Sequence, residues 1–492
     1  MKHLPLARTA FALAAAALLA TSVQAAPLAI SKVWTFDHSL AGIGQTSEIV
    51  SFDAATNNLW IVGVQGVDVL NAVSGAFVQH IDTSGFGEAN SVAVYGGLAA
   101  VAVAAPVKTD AGSIRFYDTT TFGASGSVGV GALPDMVTFT ADGSRLLVAN
   151  EGEPSALVDP RGSVSIIDVA SRSVTATAGF SGPITFNGSH IRTFNGIQGG
   201  TTMDFEPEYI ALDANGSKAY VVLQEANAVA TLDLTTNKIT TVTGLGVKDF
   251  SAAGNEIDPT DRDGKIELRP TDARGFYQPD GMASYAVGGQ TFLVMANEGD
   301  SRADEQDEAR GSAFGGTGDL ARLTVSTADS SPGDLYAFGA RSFSIRDTDG
   351  NIVFDSGNEL DAKAIELGLY DDGRSDNKGV EPEGVALANF AGRTLAFIGL
   401  ERATTSAIAV YDITDPANAS FLDFIVSPGD LSPEGLTTFT IGSTLYLAVA
   451  NEVSGTTSVF SVAVVPEPGT WALMAGGLGV VGWLSRRRKR TA

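Results

Sequence analysis

An all-β chain, folded as a seven-bladed β-propeller, is what the sequence predicts, on three observations. The first is a repeat of charge. Five times an acidic residue opens a short apolar run and a Glu closes the next one 16 to 18 residues later: Asp135 with Glu151, Glu208 with Glu225, Asp280 with Glu298, Glu383 with Glu401, and Glu434 with Glu452. Each opening acid follows a proline, at Pro134, Pro207, Pro279, Pro382 and Pro433. The second is that each repeat reads as a few short strands separated by turns. The third is composition, with 56 glycines, 18% charged residues and no sustained helical periodicity outside the ends. Self-similarity at a fixed period means one supersecondary unit copied around an axis or along a line.

The fourth copy shows the unit most clearly. Residues 209–212 read as a strand, Asp213-Ala214-Asn215-Gly216 as a turn and 218–223 as a second strand, which together make a β-hairpin. Residues 228–234 and 239–243 supply a third and fourth strand, completing one blade. Copy three follows through 136–139, the Asp142-Gly143 turn, 145–149 and 163–169, and two degenerate copies precede it, at 48–70 and 91–117. With the copies that begin at Asp280, Glu383 and Glu434, the total is seven. Closing the ring would remove exposed strand edges. The last copy lacks an outer strand after 458–465, and residues 30–36 offer an orphan one, so the N-terminal strand is expected to pair with the last blade. An open solenoid is the rival, although its ends would need capping units that the sequence does not show.

Both ends of the chain are addresses. Residues 1–25 combine a basic start (Lys2, Arg8), an apolar stretch and Val23-Gln24-Ala25, the pattern of a signal peptide left behind by signal peptidase. At the other end Pro466-Glu467-Pro468 leads into fourteen apolar residues, 471–484, and then five basic ones, 486–490. As a helix the apolar stretch would cover about 21 Å, short of a hydrocarbon core about 30 Å thick. This three-part tail (466–492) resembles the PEP-CTERM sorting signal of Gram-negative bacteria. The resemblance implies transient membrane insertion through a short transmembrane helix, cleavage near Pro466, Glu467 and Pro468 by an exosortase, and delivery to the cell surface, outer envelope or matrix. A plain C-terminal anchor is the alternative. Residues 26–465 are then the propeller domain.

Charge narrows the partners. The two ends hold seven of the 31 basic residues and one of the 56 acidic ones, leaving the rest at a net charge of about −31. Such a surface repels nucleic acid and anionic lipid and attracts cations. No cysteine is present, so there is neither a disulfide framework nor a thiol nucleophile.

In a propeller the first strand lines the central channel, so the ten repeated acids should gather at one mouth, each pair as cross-strand neighbours about 5 Å apart. Two like charges at that distance repel by about 3 kcal/mol at an effective dielectric of 20. Three forms of compensation are open: a bound metal, protonation, or basic neighbours such as Arg161, Arg302, Arg374, Lys378 and Arg402. Oxygen ligands without His or Cys suit a hard cation, which outside the cell means calcium. Asn150, Asn227, Asn297 and Asn451 would add neutral oxygens or cap turns. The acidic stretches at 258–264, 300–310 and 371–378 read as exposed loops, the last two as a lid if they cover the mouth, and 311–316 as a flexible loop. His38, His80 and His190 lie apart from the repeats and read as structural or solvent-facing.

The strings Leu133-Pro134-Asp135, Ala149-Asn150-Glu151-Gly152-Glu153-Pro154, Glu206-Pro207-Glu208-Tyr209, Gln278-Pro279-Asp280-Gly281, Ala296-Asn297-Glu298-Gly299-Asp300 and Glu381-Pro382-Glu383-Gly384 resemble the choice-of-anchor I family of WD40/YVTN-like propellers. That family is similar to mesenchyme-specific cell-surface glycoproteins, and the likeness covers about residues 30–465. It fits a surface or matrix protein, for which the extracellular matrix, a polysaccharide or a phosphorylated ligand is the expected partner, with the choice among them open. Some relatives are classed as atypical alkaline phosphatases or phytase-like enzymes, which implies a second class, a calcium-dependent phosphoesterase. Its candidate catalytic groups are Glu298, Asp300, Glu381 and Glu383 as ligands, with Arg302 or Lys378 clamping phosphate. The binding or scaffold reading is preferred, because acids that repeat with the fold fit an ion-binding ring more simply than one asymmetric catalytic centre.

Overall fold

The computed structural model describes residues 27–42, 44–155, 158–192, 205–302 and 306–465. The expected signal peptide, the Pro466-Glu467-Pro468 motif, and the short transmembrane helix and basic cluster behind it lie outside these residues. Among the described residues no helix is long and apolar enough to cross a membrane. Residues 30–462 form one compact unit. A second comprises 1–29 and 463–492, and in its described part the Val465 N–H donates to the Pro27 carbonyl at 2.9 Å.

The fold is all-β, with eight sheets of four or five strands among the described residues. Each of the seven units read from the sequence supplies the strands of one sheet, and within each the unit's strands pair antiparallel in chain order. The first strands are Val50–Asp53, Ala89–Tyr95, Pro134–Phe139, Pro207–Leu212, Met282–Val287, Pro382–Phe390 and Pro433–Ile441. Each touches the next in order, and the seventh touches the first. The seventh sheet also holds Leu28–Asp37, hydrogen-bonded beside Thr456–Val464.

The core lies between sheets. Second strands such as Asn58–Gly63 are buried along their whole length, because a sheet covers each face, and they therefore read as continuous apolar runs. Between the seventh and first sheets Phe439, Ala448 and Val459 pack with Val50, Leu59 and Ile61, and the Phe52 and Phe439 rings stack at 4.3 Å. Gly435 permits this approach. A Cβ there would lie 2.2 Å from the Glu48 carbonyl oxygen, closer than any real side chain comes. Third strands end in a repeated local device. Asn71, Asp118, Asp168, Asp233, Asp347 and Asp412 each accept backbone N–H groups two to four residues ahead, capping the turn into the fourth strand.

The eighth sheet was not expected from the sequence. It joins Val247–Asp249, Arg274–Phe276, Tyr336–Ala337, Thr324–Ser326 and Glu308–Arg310, drawn from before the fifth sheet and from between its second and third strands. Its strands have two or three residues, too short for an alternating pattern to register. Several expected loops are built into it or against it. Asp307 is fully buried and paired with Arg192, Asp261 and Asp376 are bound by Arg322, and 311–314 forms a 3₁₀ turn. A nine-residue helix, Glu359–Leu367, packs Leu360 and Ala364 into the core between the fifth and sixth sheets, and Gly368 ends it in a left-handed conformation.

Candidate metal centre in an acidic cavity

The opening acids owe their direction to β-bulges. Pro382 pairs with Leu400 and Val385 with Ile398, so Glu383 and Gly384 together face one residue, Gly399. The same two-against-one step holds Asp135 with Met136, Glu208 with Tyr209, and Glu434 with Gly435. In the fifth sheet the Asp280 N–H donates to Ala296, whose own N–H donates to the Gly281 carbonyl. A bulge bends its strand and re-aims a side chain, and here it turns an acid out of the sheet.

The residue before the proline is held left-handed in four copies, at Leu133, Gln278, Glu381 and Ser432. Its carbonyl then meets the end of the second strand: the N–H groups of Glu151, Glu401 and Glu452 donate to Leu133, Glu381 and Ser432 at 2.8–2.9 Å. Opening and closing acids are therefore not directly opposite, as simple hairpin pairing had suggested. Glu151, Glu401 and Glu452 each lie one residue beyond the residue that faces the proline, and Glu225 two beyond, so the acids meet on a diagonal. Strained backbone of this kind costs on the order of 1–3 kcal/mol per residue and concentrates at functional sites.

All five opening acids line one cavity of about 460 Å³, together with Glu151, Glu225, Glu298 and Asp300. Its wall draws on the first strands of six sheets and on Asp280 and Gly281, just ahead of the first strand of the fifth, and among the described residues it contains no Lys, Arg or His. Glu401 and Glu452 stand just behind it, where their charges act on Glu383 and Glu434. Loss of solvent in this enclosure is the main force on the carboxyls, followed by repulsion between them. Asp135 is pushed up to about 6, and Glu151, Glu208, Asp280, Glu383 and Glu434 are all raised well above the usual carboxylate range. Glu401 reaches about 8.

Two triads are tighter than the rest. One carboxylate oxygen each from Asp280, Glu298 and Glu383 lie within 4.8 Å of one another, and so do oxygens of Glu298, Glu381 and Glu401. The second triad is met by cations: Lys378 Nζ is 2.5 Å from Glu298 and 3.1 Å from Glu381, an Arg374 Nη is 2.5 Å from Glu381, and an Arg402 Nη is 2.7 Å from Glu401. In the first triad Asp280 and Glu383 form no ion pair among the described residues. Glu208 and Glu225, 8% and 6% exposed, each carry an Oε2 with no hydrogen-bond partner. Buried unpartnered carboxylate oxygens beside other acids, with oxygen donors only, fit a hard cation.

Of the expected catalytic groups, Glu298, Glu381, Glu383 and Lys378 come together, and Asp300 lines the same cavity. Arg302 does not: it donates to the Glu225 backbone carbonyl and lies 3.8 Å from Glu206, outside the cavity wall. Arg161 also lies outside that wall. Asn150 and Asn297 donate to serine oxygens of the third strands, and Asn227 to the His190 and Gly246 carbonyls, so the amides brace the sheets rather than face the cavity. The amides in the wall are instead Asn90, which takes the bulge position in the second sheet, and Gln224, which donates to Glu298 at 2.9 Å. A further acid, Glu48, was missed. It opens the first sheet with the same bulge and is pushed up to about 7, but no proline precedes it. His38 is fully buried, with Nδ1 2.6 Å from Asp68 and Nε2 2.8 Å from Thr457.

Comparison with known proteins bears on both parts of the chain. None of the curated proteins matches it. Among solved structures, a chain of the Kuenenia stuttgartiensis hydrazine synthase is similar at 11% sequence identity and a TM-score of 0.49, over 87% of this chain and 97% of that one. Residues 464–489 match the PEP-CTERM protein-sorting motif. The protein is thus exported, processed by an exosortase and sorted to the cell surface or envelope. Residues 48–416, three quarters of the sequence, match the choice-of-anchor I domain. With its repeated acids gathered on one cavity and that match spanning most of its sheets, the chain belongs to the choice-of-anchor I family.

Proposed function

We propose that this protein is a calcium-binding scaffold of the cell surface or matrix, built as a closed seven-bladed propeller over residues 26–465. The closed ring is supported by the contacts of the first strands in cyclic order, by Gly435 against Glu48, and by the N-terminal strand in the seventh sheet. The calcium reading rests on a single observation: nine carboxylates from five sheets enter one cavity whose wall, among the described residues, has no basic side chain. Asp280, Glu298 and Glu383 would hold the ion, with Glu208 and Glu225 offering unpartnered oxygens across the cavity. Calcium there would let an acidic surface bind an anionic matrix ligand, a polysaccharide or a phosphorylated group, by bridging.

Substitution at Glu208 tests this. At a pH above its raised range, where Glu208 is ionised, Glu208→Gln removes one like charge worth up to about 3 kcal/mol of repulsion at 5 Å. The variant should therefore melt higher than the parent in chelator and gain less from calcium, read by thermal melts of the purified protein with EDTA and with calcium. A variant less stable than the parent in chelator would argue that Glu208 serves the fold and not an ion.

The phosphoesterase alternative is favoured by one feature, two adjacent triads that share Glu298, which is the spacing logic of a two-ion centre. Against it, the second triad is already neutralised by Lys378, Arg374 and Arg402, and the proposed phosphate clamp Arg302 faces elsewhere. Turnover of a phosphomonoester or phosphodiester in calcium, lost on Glu383→Gln, would restore it.

A further inference from the structure

The two triads differ in one respect that bears on how many ions this corner can take. Glu298 belongs to both. In the second, the Lys378 ammonium lies 2.5 Å from Glu298 Oε1, 3.1 Å from Glu381 Oε2 and 2.6 Å from the Gly299 carbonyl. Two of these three oxygens lie at distances within the 2.3–2.6 Å range of calcium ligands, and the third stands farther out.

The ammonium is also held there in advance. Buried Arg341 grips the backbone on either side of Asp376, donating through Nη2 to the Ser375 carbonyl at 2.8 Å and the Asn377 carbonyl at 2.9 Å. The Gly379 N–H closes the turn onto the Arg374 carbonyl. Lys378 therefore projects from a turn fixed by a side chain that is itself 2% exposed. Asp280 and Glu383, by contrast, form no ion pair among the described residues, and Glu208 and Glu225 leave nine-tenths-buried oxygens unpartnered on the same cavity.

We propose that the Lys378 ammonium is a tethered cation occupying the second of two adjacent cation positions that share Glu298, so that this corner takes one calcium ion instead of two. The inference rests on the calcium reading above. It makes Lys378 a determinant of metal stoichiometry rather than a phosphate clamp. The remaining positions of the second triad keep their arginines, so loss of the lysine leaves a net negative pocket of the right donors.

Calcium titration of the purified protein by calorimetry tests it, with Lys378→Met and Lys378→Arg beside the parent. The Met variant is expected to bind one more equivalent of calcium per chain than the parent, to melt lower in chelator and to recover in calcium. The Arg variant keeps the charge and should keep the parent's stoichiometry. If the Met variant folds only when calcium is present, calcium-dependent refolding that the parent does not need reports the same vacated position. Unchanged stoichiometry in a folded Met variant of a calcium-binding parent overturns the role of Lys378, as does failure to fold at any calcium concentration. A parent that binds none while the Met variant binds one would keep the role of Lys378 and remove the calcium reading. Binding by neither would overturn both.

Discussion

In chelator, the protein loses stability as pH rises from about 4 to about 8, and saturating calcium reverses the loss. The sign follows from carboxyls in the cavity and close behind it. Asp135 sits at about 6, Glu48 at about 7 and Glu401 at about 8, each raised by burial first and by neighbouring acids second. Unfolded, the same groups titrate near about 4. Between those values the folded state holds protons that the unfolded state has released, so stability falls with rising pH. The contribution is complete below about 4 and is gone once pH passes the folded values. One pKa unit corresponds to about 1.4 kcal/mol, so Asp135 alone contributes on the order of 3 kcal/mol. Calcium binds the carboxylate form and displaces those protons, so its affinity rises through the same window. At a hundredfold excess over Kd one site returns about 2.7 kcal/mol. Thermal melts at pH 5, 6.5 and 8, with EDTA and with calcium, check this. Stability that is flat or rising with pH in EDTA would contradict it.

Removing the N-terminal strand, residues 28–37, should lower stability by on the order of 5 kcal/mol and make the protein associate. Several independent contacts go with it. Lys32 pairs with the buried Asp430 at 3.0 Å, which also accepts from Ser427, Ser458 and Thr456. Thr35 meets Ser458 at 2.7 Å, and the Trp34 indole donates to the Ala72 carbonyl in the first sheet. Trp34 and Phe36 pack against the core between the seventh and first sheets. Burial of a large apolar side chain contributes about 1.5–3 kcal/mol, and Trp34 and Phe36 lose theirs together. The deletion also bares the long edge of Thr456–Val464, a template for pairing with another chain. Urea midpoints and light scattering measure both effects, and a peptide spanning the deleted strand should restore the monomer. A truncated protein that stays monomeric with its midpoint unchanged would show that the strand does not fasten the last sheet to the first.

Much of this was legible in the sequence because the repeat carries its own chemistry. Proline, acid, apolar run, turn and apolar run ending in Glu locate strands such as 218–223 and 145–149 to within a residue of the observed Lys218–Leu223 and Arg145–Asn150. The orphan strand at 30–36 lies within the observed Leu28–Asp37. The bulge was not legible, because a one-residue insertion leaves the apolar pattern intact on either side. Glu48 opens a degenerate copy, and without the proline that marks the other acids nothing in the sequence sets it among them. The eighth sheet escaped because strands of two or three residues show no period. Lys378 stands beside the repeat in sequence, but its place on Glu298, 80 residues away, depends on a turn held by the buried Arg341 and by its own backbone hydrogen bonds.

The central claim is that distant carboxylates converge to hold a cation, and a crystal structure of the calcium-soaked protein with anomalous data tests it most directly. The account predicts an anomalous peak within coordination distance of Asp280, Glu298 and Glu383, inside an unbroken circuit of seven sheets, with the Lys378 ammonium still on Glu298 and Glu381. A cavity without a peak at saturating calcium, its acids neutral and hydrogen-bonded to one another, would contradict it.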